Sequence, residues 1–119
     1  MTAPVFTSYE EFWPHYVGEH RDPINRLLHY VGTSGGVLGL VLGVLTLSPG
    51  FVLLAPVLGY GPAWVGHLLV EGNRPASWTY PSWSLRADFR MLALGLQARM
   101  TQEVERLHGA SPVQRERMA

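Results

Sequence analysis

The feature that most constrains the fold of this chain is a run of 44 residues, 27–70, that contains no Asp, Glu, Lys or Arg. Pro49 and Gly50 form a turn signal near the middle of this run and divide it into two apolar segments. A helix of about 20 residues is about 30 Å long, which is enough to cross the hydrocarbon core of a bilayer. We therefore predict a membrane-spanning hairpin made of two helices, 23–47 and 51–71.

The segments on either side of the hairpin predict amphipathic helices that do not cross the membrane. Residues 8–20 carry aromatic side chains at helical spacing on one face, and residues 83–108 combine an apolar stripe with four arginines. Both patterns favour the interface between lipid and water. The expected fold class is all-α, a single membrane domain with a two-helix hairpin flanked by N- and C-terminal interfacial helices. Residues 109–119 are expected to form a frayed tail.

The arginines of the chain predict how the hairpin is oriented in the membrane, and its glycines predict how it packs. All nine arginines lie away from the hairpin turn, so the positive-inside rule predicts a multi-pass protein with both termini in the cytoplasm. Glycines at alternating steps of four and three form one stripe on the first spanning helix, a pattern typical of close helix packing in membranes. These are Gly32, Gly36, Gly39 and Gly43. The stripe leaves a homodimer open, although another helix of the same chain could cover it.

The alternative to a membrane protein is a soluble bundle built around a buried hairpin, and 119 residues leave little chain to cover one. Composition excludes several kinds of chemistry. The absence of cysteine excludes disulfides, thiolate metal sites and cysteine nucleophiles. Net charge is zero and the arginines form no patch interleaved with aromatic residues, so no nucleic-acid partner is expected.

Two histidines of the hairpin are predicted to meet at its open end. His29 lies 20 residues before Pro49 and His67 lies 18 residues after it. An antiparallel hairpin therefore places the two at the same depth, within one helical turn and roughly 28 Å from the turn. By the same argument Asn25 and Glu71 form the next layer outward. Ionisable groups in a membrane are costly and usually face the protein interior, which favours a functional site here.

His20 is a third member of this candidate site, because it ends the first helix shortly before the second begins. Three imidazoles and a nearby carboxylate can bind Zn, Fe, Cu or Ni, and three protein ligands leave positions for substrate. The competing interpretation is that each histidine is only a hydrogen-bonded packing residue. His15 and His108 take that interpretation outright. Arg26 and Arg74 are either interfacial anchors or partners for an anionic head group, which makes them the candidate substrate-binding residues.

A set of short motifs runs through the chain from about Tyr9 to Met91. They are Glu19-His20, Asn25-Arg26, His29 with Gly32, Gly66-His67, Glu71, Asn73-Arg74-Pro75-Ala76 and Pro81-x-Trp83-Ser84-Leu85-x-x-Asp88. Together they resemble the membrane family of 2-hydroxy fatty acid dioxygenases, whose fungal members act in phytosphingosine degradation. The last motif is similar to the bacterial branch in particular, which implies a location in a bacterial inner membrane.

The resemblance implies a non-haem Fe(II) dioxygenase that shortens a 2-hydroxy fatty acid by one carbon, using O2 and no 2-oxoglutarate. Carried over by position, His20, His29 and His67 would be the iron ligands, with Glu71 and Asn25 as close support. The substrate could chelate iron through its carboxylate and hydroxyl oxygens while its acyl chain stays in membrane lipid. The chain is shorter than the eukaryotic members and lacks two further clear spanning segments.

Three hypotheses therefore follow from the sequence. The first is the iron dioxygenase. The second is a zinc-dependent membrane lipid enzyme, in which a zinc-bound hydroxide reacts and Glu71 acts as general base. The third is a non-enzymatic membrane hairpin that binds lipid or a protein partner. A diiron hydroxylase with eight histidines is excluded, since the chain has five.

Overall fold

The computed structural model describes residues 5–109, and all regular secondary structure within them is helical. The α-helices are α1 (Tyr9–Gly18), α2 (Pro23–Leu45), α3 (Pro49–Val65), α4 (Pro81–Leu96) and α5 (Met100–His108). A π-helical segment (Gly66–Glu71) continues α3, and a short 3-10 turn (Ala76–Trp78) precedes α4. The all-α prediction is confirmed. The described residues form two compact units: a hairpin unit of residues 22–75, and a terminal unit of residues 5–21 and 76–109.

Local capping fixes the ends of the hairpin helices. The Asp22 side chain accepts a hydrogen bond from the backbone N–H of Ile24, and Pro23 occupies the first position of α2, where its missing N–H costs nothing. Ser48 caps α3 in the same way, with Pro49 at the first position. The second hairpin helix therefore begins at 49, two residues earlier than predicted.

The first hairpin helix ends two residues earlier than predicted, at Leu45. Leu47 adopts a left-handed backbone with φ 51°. Its N–H bonds to the carbonyl of Val44, and the next N–H, of Ser48, bonds to the carbonyl of Gly43. This is the Schellman arrangement, in which a left-handed residue closes the last helical turn.

The glycine stripe of α2 lies directly against α3. A Cβ added at Gly32 would collide with the backbone carbonyl of Gly59, and one at Gly36 would lie 3.2 Å from the carbonyl oxygen of Ala55. The predicted role of the stripe in close packing is thus confirmed, with α3 as the partner. Because α3 occupies this face, the stripe no longer argues for a homodimer.

The outer faces of the hairpin are strongly apolar. Leu38, Leu45, Leu53 and Val57 expose between 58 and 76% of their surface. By length and composition, both 23-residue helical stretches, Pro23–Leu45 and Pro49–Glu71, are able to cross a membrane. So large an exposed apolar surface is unusual for a soluble protein and suits a lipid environment.

The terminal unit is built around the aromatic face of α1. Ser8 accepts a hydrogen bond from the Glu11 backbone N–H while the Glu11 carboxylate bonds back to Thr7, a capping arrangement that confirms the predicted helix start. Phe12 and Tyr16 are almost completely buried, because α1 packs on α4 and α5. The apolar groups of this face therefore contact protein, and the interfacial position of the helix stays a prediction.

The predicted helix 83–108 is two helices. It begins at Pro81, where proline again takes the first helical position. Ala98 is left-handed, with φ 56°, and hydrogen bonds from Ala98 to Gly95 and from Arg99 to Leu94 close a second Schellman turn. The α4 stripe that was predicted to be interfacial is exposed at Leu85 and Phe89. The predicted tail lies outside the described residues, except for residue 109.

Candidate metal centre

The hairpin brings His29 and His67 side by side, as the depth argument predicts. Their ring centroids are 4.8 Å apart and the ring planes are nearly perpendicular, at 88°. Both side chains are buried, with 3 and 2% of their surface exposed. Buried imidazoles need hydrogen-bond partners to offset their loss of hydration, so the contacts of each ring determine what the pair can do.

Each ring of this pair is oriented through its Nδ1 atom. His29 Nδ1 lies 2.9 Å from the backbone carbonyl oxygen of Asn25. His67 Nδ1 lies 2.6 Å from the Oδ1 atom of Asn73. Both oxygens are acceptors, so Nδ1 donates in each ring. A neutral imidazole with its proton on Nδ1 carries the lone pair for metal binding on Nε2.

His67 lies in the π-helical segment that ends α3. Such segments recur at functional sites, because the wider turn displaces side chains from regular helical positions. The segment ends at Gly72, whose φ of 72° suits glycine. The chain then turns back, so that the Asn73 N–H bonds to the carbonyl of His67 at 3.0 Å while its side chain accepts from the imidazole.

Asn73 is the site residue that sequence reasoning missed. It stands six residues after His67 with no helical periodicity to connect them. The signal that could have identified it is Gly72, a residue suited to the left-handed turn that reverses the chain immediately before an amide side chain.

The Glu71 side chain lies beside Asn25, at the start of α2. Glu71 Oε1 accepts a hydrogen bond of 2.6 Å from the backbone N–H of Asp22 and lies 3.4 Å from Asn25 Nδ2. A carboxylate at a helix N-terminus is stabilised by the unsatisfied N–H groups there. In this structure the carboxylate ties the end of the π-helical segment to the start of α2.

Asn25 contacts both His29 and Glu71. It is fully buried, its carbonyl orients His29, and its amide reaches Glu71. Its side chain also lies against Gly66, where even a Cβ atom would overlap its Oδ1 atom. The two predicted substrate-binding arginines differ in environment: Arg26 is buried on α2, whereas Arg74 is exposed in the turn that follows the π-helical segment.

His20 belongs to the terminal unit, immediately after α1. Its Nδ1 atom lies 2.5 Å from the carbonyl oxygen of Tyr16, and its ring stacks on the Tyr16 ring with a centroid distance of 4.0 Å. It is fully buried. Its Nδ1 atom also faces an acceptor, so the lone pair that could bind a metal is again on Nε2.

The two histidines that were set aside have other contacts within the terminal unit. His15 lies 3.1 Å from the Glu19 carboxylate, and the His108 ring lies 2.7 Å from the carbonyl oxygen of Pro14. Burial, and then the neighbouring His108, lower the pKa of His15.

The sequence of the chain matches a known protein family. The family model described as 2-hydroxy-palmitic acid dioxygenase Mpo1-like matches residues 6–100. The chain belongs to this family. No curated protein and no solved structure matches it.

The family match confirms the resemblance read from the short motifs, and its name describes a dioxygenase of a 2-hydroxy fatty acid. The matched region contains each of the predicted site residues. These are His20, Asn25, Arg26, His29, His67, Glu71 and Arg74. Of the two histidines that were set aside, His15 lies inside the match and His108 outside it.

Proposed function

We propose that this protein is an Fe(II)-dependent dioxygenase that converts a 2-hydroxy fatty acid to the acid one carbon shorter, using O2 and no 2-oxoglutarate. His20, His29 and His67 are proposed as the iron ligands. The observation that carries the proposal is the buried pair of His29 and His67, with each Nδ1 held by an oxygen acceptor, in a chain of this family.

The donor set fits a divalent transition metal. Imidazole nitrogen suits iron, zinc, copper and nickel, and protein histidines that bind metals almost always donate the other ring N–H to an oxygen or a water. Both histidines of the hairpin have that hydrogen bond, and so does His20. His20 is two residues before Asp22, so at most about 7 Å of chain connects it to the start of α2.

Iron at this site would supply orientation of the two reactants and a centre that accepts electron density as the bond between the carboxyl carbon and its neighbour breaks. One 2-hydroxy acid and one O2 together contain the atoms of the shorter acid, carbon dioxide and water. No further oxidant or reductant is therefore needed.

The residues around the histidines are proposed to hold the substrate and the ligands. Arg26 and Arg74 are proposed to bind the substrate carboxylate, since a guanidinium matches a carboxylate in charge and shape. Asn25 and Glu71 are proposed as supporting residues that hold His29 and the start of α2. Their hydrogen bonds to one another and to Asp22 support this role over a general-base role for Glu71.

We also propose that the hairpin spans a bacterial inner membrane, with both termini in the cytoplasm. The exposed apolar side chains of α2 and α3 support insertion, and the arginines outside the hairpin support the orientation. An acyl chain could then remain in lipid while its polar end reaches the histidines. A homodimer stays a prediction without support from the glycine stripe.

The test is metal content and oxygen uptake of the full chain, purified anaerobically in detergent. We expect bound iron, O2 consumption with 2-hydroxypalmitate, and one equivalent of the acid one carbon shorter. His29→Ala and His67→Ala should lose both iron and turnover, and His20→Ala should do the same. His15→Ala is the control, because its ring lies beside Glu19 and has no proposed role.

Two outcomes would overturn the proposal. Turnover that persists with zinc and without oxygen would favour the zinc enzyme. Absence of any bound metal under reducing conditions, with no effect of the three histidine substitutions, would favour a non-enzymatic hairpin.

A further inference from the structure

Tyr16 connects His20 to a carboxyl group on another helix of the terminal unit. The Tyr16 hydroxyl donates a hydrogen bond to Oδ1 of Asp88 on α4. The other parts of Tyr16 contact His20: its ring stacks on the imidazole with 23° between the planes, and its backbone carbonyl lies 2.5 Å from Nδ1. One residue therefore makes two contacts with the His20 ring, and its far end is held by Asp88.

We propose that Asp88 and Tyr16 are positioning residues for His20, and that Asp88 acts through the Tyr16 ring. The consequence for metal binding rests on the proposed function, since it requires His20 to be a ligand. The positioning itself does not, because all three residues lie within the terminal unit and their contacts need no metal.

Tyr16 is anchored in two ways, through its backbone and through its side chain. Its backbone is fixed by α1, and its carbonyl accepts from the Glu19 N–H at 3.1 Å as well as facing His20. A helix fixes the carbonyl but leaves the side-chain torsions to be set by packing and hydrogen bonding. The hydrogen bond to Asp88, together with the Trp13 ring that stacks on Tyr16 at a centroid distance of 5.6 Å, therefore sets where the face of the ring lies, and with it the plane against which the imidazole stacks.

Asp88 has no other evident use in the terminal unit. The neighbouring arginines of α4 lie over aromatic rings: Arg86 is 4.0 Å from the Tyr9 ring centroid, and Arg90 is 4.1 Å from that of Trp13. Among the contacts of the described residues, the Tyr16 hydroxyl is its hydrogen-bond partner.

Removing the Asp88 carboxyl from water has a free-energy cost, which supports a specific role for it. Burial raises the pKa of Asp88 to about 7, although the Tyr16 hydroxyl partly offsets the increase. An acid kept in surroundings that disfavour its charge commonly serves a particular contact. The contact that the structure shows is the one that fixes the Tyr16 ring.

The experiment compares Tyr16→Phe, Asp88→Ala, their double variant and Asp88→Asn in the full chain. The first readout is the NMR shift of the His20 ring protons in metal-free protein, which the stacked Tyr16 ring displaces from the free-histidine value. The second is the affinity for Co(II) and Fe(II). Glu103→Ala is the matched control, since Glu103 accepts a similar hydrogen bond, of 3.0 Å, from another aromatic residue of α1.

We expect both Tyr16→Phe and Asp88→Ala to move the His20 signals toward the free-histidine value and to weaken metal binding by about tenfold, the lower end for residues that orient metal ligands. The double variant should be no worse than either single one, because both remove the same hydrogen bond. Asp88→Asn should restore most of both properties, since its amide oxygen can still accept from the hydroxyl.

The proposal is overturned if Asp88→Ala leaves the His20 signals unchanged, if the effects of the two single substitutions add fully, or if Glu103→Ala shifts the signals equally. Failure of the proposed function has a separate signature. If the wild-type protein binds neither metal, the iron enzyme is refuted, while the metal-free shifts still decide whether Asp88 positions His20 through Tyr16.

Discussion

Replacing Gly66 with alanine should disturb the histidine site through Asn25. A Cβ at this position would overlap Asn25 Oδ1 and would lie 3.0 Å from the Asn25 Cγ atom and 3.3 Å from its Cα atom. Rotation of the side chain cannot relieve the backbone contact, and Asn25 is fully buried. We therefore expect α2 and the π-helical segment to move apart, at a cost of about 1–3 kcal/mol, the usual range for overpacking.

The same displacement should reach the metal, because the Asn25 carbonyl orients His29. Loss of an orienting contact lowers metal affinity by about 10–100-fold, which titration with Co(II) can measure beside thermal unfolding in detergent. Gly61→Ala is the matched control: it lies on α3, and a Cβ there meets nothing within 4 Å, so its stability should stay within about 1 kcal/mol of wild type. Equal metal affinity in the two variants would refute the reasoning.

Three further predictions concern other contacts. Asn73→Ala should weaken Co(II) binding by about tenfold, because it removes the acceptor that orients the His67 imidazole. Arg74→Ala, at the exposed next position, should leave Co(II) affinity unchanged. Equal losses of affinity in the two variants would contradict this prediction. Gly32→Ala should lower the free energy of unfolding in detergent by about 1–3 kcal/mol, because its Cβ would collide with the backbone of α3. Gly35→Ala is the control and should be tolerated, because the nearest atom to its Cβ is 3.9 Å away. Asp88 has a pKa of about 7 in the folded protein, against an ordinary value of 3.8, so the folded state binds more protons between these pH values. The free energy of unfolding of the wild type should therefore fall as the pH rises from about 4 to about 7, and Asp88→Asn should remove that part of the dependence. Identical pH profiles of the two proteins would refute this prediction.

The hairpin could be predicted from sequence because few alternatives exist for its segments. Two uncharged runs joined by Pro49 and Gly50 allow little other than antiparallel helices, and helix-start signals are local. The helix ends were harder to place. Left-handed caps are usually glycine or asparagine, but here Leu47 and Ala98 adopt that backbone. No sequence signal marks these positions, which is why α2 was predicted too long and the break between α4 and α5 was missed.

The candidate site also combines contacts that the sequence predicts with contacts that it does not. The pairing of His29 with His67 depends only on their distances from the turn, which sequence supplies. The contacts of Asn73 depend on a chain reversal at Gly72, and the contact between Tyr16 and Asp88 depends on how two distant helices pack. Such long-range packing has no periodic signature, so residues that orient ligands are harder to find than the ligands themselves.

The three histidines differ in how their orientation could be lost. His20 and His29 are each oriented by the backbone carbonyl four residues earlier, which every amino acid provides. His67, in the π-helical segment, is oriented by the side chain of Asn73. Only for this ring can a single side-chain substitution remove the Nδ1 acceptor while leaving the ligand in place. Asn73 is therefore the position at which loss of an Nδ1 acceptor can be separated by mutation from loss of the imidazole itself.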